Sequence, residues 1–251
     1  KAKIITSIAM FYDLENPNKF VDDISKILHP DGLWILELSY LPLMLSQNAF
    51  DTIVHEHLEY YHLDALEFLL SKFNLKVVDI QLNDINGGSF RVIVQHKEKS
   101  IDNKSLQHIT ELREKEKNLN LSTNQPFDDF ITKINDEKDK LVTFIKNEVS
   151  SGKTVHCYGA STKGNTLLQF YNLDKKLIQF IADRNPDKWG RRTIGTDISI
   201  ISEEESHSMN PDYFLILPWH FIKEFKEREI NYLKNGGKLL VPLPKFKVIK
   251  E

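Results

Sequence analysis

The chain has 251 residues, with 33 lysine and arginine residues against 36 aspartate and glutamate residues, and a formal net charge of −3 at pH 7. This balance argues against a nucleic-acid-binding protein, which usually carries a basic excess. Apolar stretches stay far below the roughly 18 residues that a membrane span needs, and the single cysteine excludes an intrachain disulfide, so we expect a cytoplasmic protein that binds neither nucleic acid nor membrane.

The first part of the chain alternates predicted strands and helices. The run Lys3 to Ile8 is β-branched, and Asn16-Pro17 supplies an N-cap and a proline at the first position of a helix. An apolar strand over residues 33–38 follows, and Asp64 to Glu67 resembles a capping box that opens the next helix. Residues 75–95 then predict an antiparallel hairpin with glycines in its turn.

The second part repeats this alternation after a charged region. Between residues 98 and 150, apolar residues at helical spacing predict a long amphipathic helix that links two domains. From residue 151 onward, strands alternate with helices, which predicts a parallel sheet with right-handed crossovers. The sequence therefore predicts an α/β protein with a domain over 1–97, a helical linker over 98–150 and a Rossmann-like domain over 151–251.

The segment His55-Glu56-His57 is the first candidate for chemistry. In an extended chain the two histidines share a face, which suits either a metal or a catalytic base. A zinc-binding helix would need histidines four residues apart, and no third ligand is evident. We favour a catalytic or substrate-contacting histidine over a metal site, with a structural role left open.

A glycine loop after a predicted strand is the second candidate, with Gly159, Lys163, Gly164 and Asn165 at the start of a helix. Backbone N–H groups and the helix dipole make such a position an anion site. Asn165 stands where a P-loop has its lysine, which argues against an ATPase. Asp183 lies where a ribose-binding acid would lie, so a nicotinamide dinucleotide remains open, as does a tight turn that needs glycine for packing.

Two further groups of residues are candidates for ligand contact. Trp219 and His220 end a strand at the carboxyl edge of the sheet, where open α/β sheets bind ligands, although packing explains them equally well. For the other group, a plain hairpin turn is the favoured interpretation. Its members are Asn86, Gly87, Gly88, Ser89 and Arg91.

Five ordered segments, spread over essentially the whole chain, resemble the class I S-adenosylmethionine-dependent sugar C-methyltransferase family. They are TSIAMFYDLENP (Thr6 to Pro17), FDTIVHEHLEYY (Phe50 to Tyr61), NGGSFRV (Asn86 to Val92), YGASTKGNTLLQ (Tyr158 to Gln169) and LPWHF (Leu217 to Phe221). The resemblance implies a class I methyltransferase domain that ends in an antiparallel hairpin, followed by a second Rossmann-like domain. It also implies a nucleotide-linked deoxyketosugar as substrate, methylated on the carbon beside the ketone.

The resemblance also implies roles for individual residues. His57 resembles the base of the family and Glu56 its polar partner. The hairpin loop, the glycine loop and Trp219-His220 would contact the substrate. The residues that would form the remaining wall of the cofactor site are Ser7, Ile8, Met10 and Phe11.

The chain departs from the family pattern in two ways. It starts at what resembles the fourth strand of the methyltransferase sheet, so we expect the glycine-rich cofactor turn and the cysteine-ligated zinc module to lie upstream of Lys1. We also expect residues 1–251 alone to have negligible affinity for S-adenosylmethionine. Val54 replaces the tyrosine that precedes the Glu-His pair. A nicotinamide-dependent oxidoreductase and a non-catalytic nucleotide-sugar-binding protein remain alternatives.

Overall fold

The computed structural model describes residues 1–251, except for the side chain of Asn86. The chain forms two compact units. The first consists of Lys1–Ser46 and His55–Asp128, and the second of Gln47–Val54 and Asp129–Glu251. The predicted α/β class is confirmed. Across the described residues, no helix is both long and apolar enough to span a bilayer.

The first unit contains a four-stranded mixed sheet in the order β1-β2-β4-β3. The pair β1 and β2 is parallel, and the other pairs are antiparallel, as the predicted hairpin requires. The strands are β1 (Ala2–Ile8), β2 (Leu28–Ser39), β3 (Leu75–Asn83) and β4 (Ser89–His96). The helices are α1 (Pro17–Ile27), α2 (Leu41–Ser46), α3 (Leu63–Ser71) and α4 (Asn103–Asn118).

Local signals explain the start of α1 but not the start of β2. The Asn16 side chain accepts a hydrogen bond from the Lys19 N–H at 3.0 Å, as its predicted N-cap role requires. Strand β2 begins at Leu28 rather than at the predicted residue 33. An irregularity in its pairing with β1 accommodates the extra residues, because Ala2 pairs with Leu28 whereas Ile4 pairs with Leu33.

The predicted capping box at the start of α3 is wrong. The helix is capped instead by a residue that lies far along the sequence. The cap is the buried carboxylate of Glu116 in α4, which accepts hydrogen bonds from the N–H groups of Leu63 at 2.7 Å and Asp64 at 3.3 Å. The Tyr40 hydroxyl donates to it at 2.7 Å, and His62 Nδ1 lies 3.2 Å away. One carboxylate therefore accepts from two of the orphan N–H groups of a helix N-terminus.

We expect Glu116→Ala to lower the free energy of unfolding by about 3 kcal/mol, because several buried donors lose their acceptor. Urea unfolding measures this loss. Glu114→Ala, at an exposed position of the same helix, should stay within about 0.5 kcal/mol of the wild type. Equal small effects in both variants would contradict the capping role.

The same carboxylate should make stability depend on pH. Burial raises the pKa of Glu116, but the hydrogen bonds from His62, Leu63, Tyr40 and Asp64 outweigh it and hold the pKa below its usual range. A carboxylate with a lowered folded pKa contributes stability above its unfolded pKa and loses it as pH falls through the folded value. The stability difference between the wild type and Glu116→Gln should therefore shrink as pH falls below about 4.

The second unit contains a six-stranded sheet in the order β10-β9-β8-β5-β6-β7. Five of these strands, β9, β8, β5, β6 and β7, are parallel, as predicted. The edge strand β10 pairs with β9 in the antiparallel sense. The strands are β5 (Val155–Tyr158), β6 (Phe180–Ala182), β7 (Ser199–Ile201), β8 (Tyr213–Ile216), β9 (Lys238–Val241) and β10 (Lys247–Ile249). The helices are α5 (Gln125–Ser150), α6 (Thr162–Tyr171), α7 (Glu203–Ser208), α8 (Ile222–Arg228) and α9 (Ile230–Lys234).

Strand order in this sheet locates the edge where a ligand would bind. The chain runs outward from β5 through β6 to β7, and then returns to the other side of β5 as β8. Such a reversal leaves a crevice at the carboxyl ends of the two central strands, where open α/β sheets bind ligands. The glycine loop follows β5 and Pro218 to His220 follow β8, so both groups of candidates lie at this edge.

The region predicted as a helical linker forms two helices, α4 and α5. Asn120, between them, has a positive φ of 51°, a left-handed conformation that does not continue a helix. Helix α4 lies in the first unit, and most of α5 lies in the second. The domain boundaries at residues 97 and 151 stay predictions.

Candidate functional site

The candidate histidine of the first unit lies at the carboxyl end of β1. Tyr12, in the turn after β1, contacts His57 edge to face, with 4.6 Å between ring centroids. The Tyr12 carbonyl oxygen accepts hydrogen bonds from the N–H groups of Leu58 at 2.9 Å and Glu59 at 3.1 Å. Tyr12 directly follows the predicted cofactor wall, Ser7 to Phe11, in the sequence, so His57 contacts the residue next to that segment.

The neighbours of His57 differ from it in exposure. The His57 side chain is half-buried, whereas that of His55 is 83% exposed and lies 3.8 Å from a Glu56 carboxylate oxygen. Asp13 interacts electrostatically with His57 and Glu56, although burial is the larger cause that raises its pKa. Of the two histidines, His57 therefore has the surroundings that a positioned base requires.

The predicted cofactor residues divide into packing and exposed groups. Phe11 is fully buried, and the Ser7 hydroxyl accepts a hydrogen bond from the Trp34 indole N–H at 3.0 Å. Ile8 is 51% exposed, and Met10 is only partly buried. A ligand at this strand end would therefore meet Ile8, Met10 and the backbone, which offer a mostly apolar surface.

The hairpin loop uses most of its donors internally. Gly87 and Gly88 have φ values of 89° and 122°, which favour glycine. Their N–H groups donate to Asp84 and Ile85, and the buried Ser89 hydroxyl donates to the Ile85 carbonyl at 2.9 Å. These contacts are those of a structural turn. The predicted contribution of Asn86 falls on a side chain outside the described residues.

Arg91 is engaged within the sheet. Its guanidinium binds the carboxylate of Glu37 on the neighbouring strand, with Nε to Oε2 at 2.7 Å and a second nitrogen at 2.6 Å from the same oxygen. Glu37 is buried, so this pair satisfies a carboxylate that would otherwise be buried without a partner. Substrate contact by Arg91 stays a prediction.

Packing explains both glycines of the second-unit loop. Gly159 has a φ of 84°, and a Cβ atom there would lie 2.9 Å from Pro218 Cδ. A Cβ atom at Gly164 would lie 3.0 Å from the Gly159 carbonyl oxygen and 3.0 Å from Leu217 Cδ1. Ser161 caps α6 by accepting from the Gly164 N–H at 3.0 Å. Close approach of the two strand ends therefore requires glycine at both positions.

Asp183 holds the glycine loop. Its carboxylate accepts hydrogen bonds from the N–H groups of Ala160 and Asn185, both at 2.8 Å, and from Lys188 Nζ at 3.2 Å. Lys188 also donates to the Ala160 carbonyl at 2.8 Å. A dinucleotide site would use this acid to bind ribose hydroxyl groups. Its engagement with the loop argues against a nicotinamide dinucleotide.

The predicted residues Lys163, Trp219 and His220 come together at the carboxyl edge, where they meet Asp51. The Trp219 indole N–H donates to Asp51 Oδ2 at 3.0 Å. Burial lowers the pKa of Lys163, and the charge of Asp51 partly offsets this effect. Burial and the charge of Lys163 lower the pKa of His220 to about 4, so His220 is neutral at pH 7.

Sequence reasoning missed Asp51, although it lies in the same motif as His57. The segment Gln47–Val54 belongs to the second unit, where the Phe50 ring contacts Phe170 at 4.7 Å and Tyr171 at 5.3 Å. Asp51 is consequently 1% exposed. The available signal was an acidic residue directly after Phe50, in a motif that also contains two histidines.

The described residues contain no group of three or more histidine, cysteine, aspartate or glutamate side chains arranged to hold a metal ion. Apart from the hairpin loop, the predicted residues lie at two places, one at the carboxyl end of β1 and one at the carboxyl ends of β5 and β8.

Comparison with known proteins identifies the family. Residues 84–244 match the C-methyltransferase C-terminal domain, and residues 1–80 match a methyltransferase domain. The chain belongs to the C-methyltransferase family. It is 32% identical over 248 residues to the C-methyltransferase NovU of Streptomyces niveus, covering 99% of this chain and 59% of that protein. The expected family is confirmed, and the chain spans 59% of the length of this relative.

Two solved structures are also similar in part. They are described as "A Pericyclic Reaction enzyme" and "The structure of LepI complex with SAM". Each aligns with a TM-score of 0.33 at 11% identity, over 38% of this chain and 26% of the other chain.

Substituting the loop glycine tests the packing argument. Gly159→Ala should lower the free energy of unfolding by about 3 kcal/mol, because it adds a clash with Pro218 to the cost of a positive φ. Gly152→Ala is the matched control, since Gly152 has a φ of 85° and no neighbouring atom within 4 Å of an added Cβ. It should cost about 1 kcal/mol in urea unfolding. Equal losses would contradict the clash.

Proposed function

We propose that the full-length protein is a cytoplasmic enzyme that transfers a methyl group from S-adenosylmethionine to a carbon of a nucleotide-linked deoxyketosugar. The observation that carries this proposal is the contact of His57 with Tyr12 at the carboxyl end of β1. Ligands of open α/β sheets bind at this edge. Membership in the C-methyltransferase family supports carbon as the methyl acceptor.

The reaction requires a base beside a weakly acidic C–H bond. A carbon next to a ketone becomes a nucleophile when it loses a proton and its C–H electron pair passes into an enolate. Histidine, which titrates near neutral pH, is the natural acceptor of that proton, and we assign this role to His57. When bound, S-adenosylmethionine would supply a methyl group on a sulfonium sulfur, and transfer of that methyl group to the enolate carbon would release a neutral thioether.

The residues at the end of β1 fit such a cofactor. Ile8 is exposed and Met10 is partly buried, so both leave apolar surface at this strand end, and Ala9 turns the backbone there with a φ of 51°. Apolar walls with a few polar groups are typical of small-molecule sites. We assign Ile8 and Met10 to contact with the cofactor, and Glu56 to a polar role next to the base.

Exchange of the substrate proton tests the assignment of His57. In the full-length protein, His57→Gln should slow exchange of the proton beside the ketone with deuterated water by roughly 100-fold or more, because a positioned base contributes about 10²–10⁴. NMR without methyl donor measures deprotonation separately from transfer. Binding of both ligands should persist in this variant.

His55→Gln is the matched control, since it removes the same side chain from an exposed position two residues away. It should leave the exchange rate within a few-fold of the wild type. Exchange that persists in the His57 variant and disappears in the His55 variant would transfer the role of base to His55.

We assign the diphosphate of the substrate to the α6 N-terminus and Lys163. Lys163→Ala should weaken binding of the nucleotide sugar by about 1–3 kcal/mol in calorimetry, the scale of a charge-assisted hydrogen bond. Lys176→Ala removes an exposed lysine of the same unit and should leave affinity unchanged. If both variants bind like the wild type, the loop is only a turn.

A further inference from the structure

Asp51 is a buried carboxyl group with an unused oxygen. Its Oδ2 accepts the Trp219 indole N–H at 3.0 Å, and its Oδ1 is buried without a hydrogen-bond partner among the described residues. Buried polar atoms nearly always have a hydrogen-bond partner. A buried atom without one within the chain indicates a partner from outside it, such as a ligand. Burial raises the pKa of Asp51, but the hydrogen bond from Trp219 and the charge of Lys163 favour its ionised form. The oxygen of a carboxylate accepts hydrogen bonds, so a donor is the partner that it lacks.

Asn165, on α6, repeats this feature. Its side-chain oxygen is also buried and has no partner within the described part of the chain. Asn165 lies in the first turn of α6, and the segment that carries Asp51 packs against the same helix through Phe50. Two acceptors without donors therefore belong to one packing region.

The same region favours an anion. The N-terminus of α6 presents backbone N–H groups and the positive end of a helix dipole, and Lys163 adds a positive charge in its first turn. Asp51 interacts electrostatically with Lys163. A bare anion would be repelled by Asp51, whereas a ligand with an anionic group and a nearby hydroxyl donor satisfies both groups at once.

We propose that Asp51 determines ligand specificity by accepting a hydrogen bond from a sugar hydroxyl group of a glycosyl phosphate whose phosphate lies at the α6 N-terminus and Lys163. This inference rests on the proposed function, because it names the contact that the glycosyl part of the nucleotide sugar makes. It assigns the anionic part of the ligand to Lys163 and the glycosyl part to Asp51.

The test compares two probes on the full-length protein. Glucose 1-phosphate carries both the phosphate and the hydroxyl groups, and inorganic phosphate carries only the anion. Dissociation constants come from NMR titration of the wild type, Asp51→Ala and Asp51→Asn. Asp139→Asn removes one acidic charge from an exposed position of the same unit and is the control.

Asp51→Ala should raise the dissociation constant of glucose 1-phosphate by about tenfold or more, since one charged acceptor is lost. The same variant should bind inorganic phosphate as tightly as the wild type or more tightly, because a negative charge next to Lys163 is gone. Asp51→Asn keeps one acceptor oxygen, which can serve either the Trp219 indole or a hydroxyl group. It should lose less affinity for glucose 1-phosphate than Asp51→Ala and gain as much for phosphate.

Opposite changes for the two probes separate recognition from a structural role. If both probes weaken equally in Asp51→Asn, Asp51 only supports the local fold and the inference is wrong. Failure of the wild type to prefer glucose 1-phosphate over phosphate also overturns it. Methyl transfer is assayed separately: transfer with an unchanged probe ratio in Asp51→Ala rejects this inference alone, and the expected ratio without transfer rejects the proposed enzyme alone.

Discussion

The backbone carbonyl of Tyr12 accepts two hydrogen bonds from the chain that follows His57, and the account of the first unit depends on this contact. These two bonds and the contact between the Tyr12 and His57 rings hold the segment after His57 against the turn that follows β1. A base acts only when it is held within reach of the proton that it removes, so the proposed role of His57 depends on this contact.

In the second unit, the carboxyl ends of β5 and β8 pack closely together and also carry polar side chains. Gly159 lets the end of β5 approach Pro218, and Asp183 with Lys188 fixes the loop between them. These hydrogen bonds engage both carboxylate oxygens of Asp183. Two further charged side chains at this edge are Lys163 and Asp51. Asp51 lies in the segment Gln47–Val54, which is flanked in the sequence by residues of the first unit but belongs to the second.

Hydrophobic periodicity predicts most of this fold, because alternation and helical spacing are local properties. The parallel order of the second sheet follows from such patterns, and the hairpin and the α1 cap at Asn16 follow from local turn and capping signals. The cap of α3 does not follow from local patterns. Glu116 lies 53 residues along the chain from Leu63, whose N–H donates a hydrogen bond to it. Asp51 is similar, since its burial arises from tertiary contacts with Trp219. Local patterns located the candidate sites, and long-range contacts decided which side chains each site contains.

The product of one turnover distinguishes methylation of carbon from methylation of oxygen or nitrogen. The full-length protein is incubated with the nucleotide-linked ketosugar and a methyl donor that carries ¹³C in its methyl group, and the product is examined by NMR. We expect a new methyl group bonded to the carbon beside the ketone, with loss of that carbon's proton, and formation of this product to be roughly 100-fold slower or more in His57→Gln. A methyl group on oxygen or nitrogen, or undiminished carbon methylation in the His57 variant, would contradict this expectation.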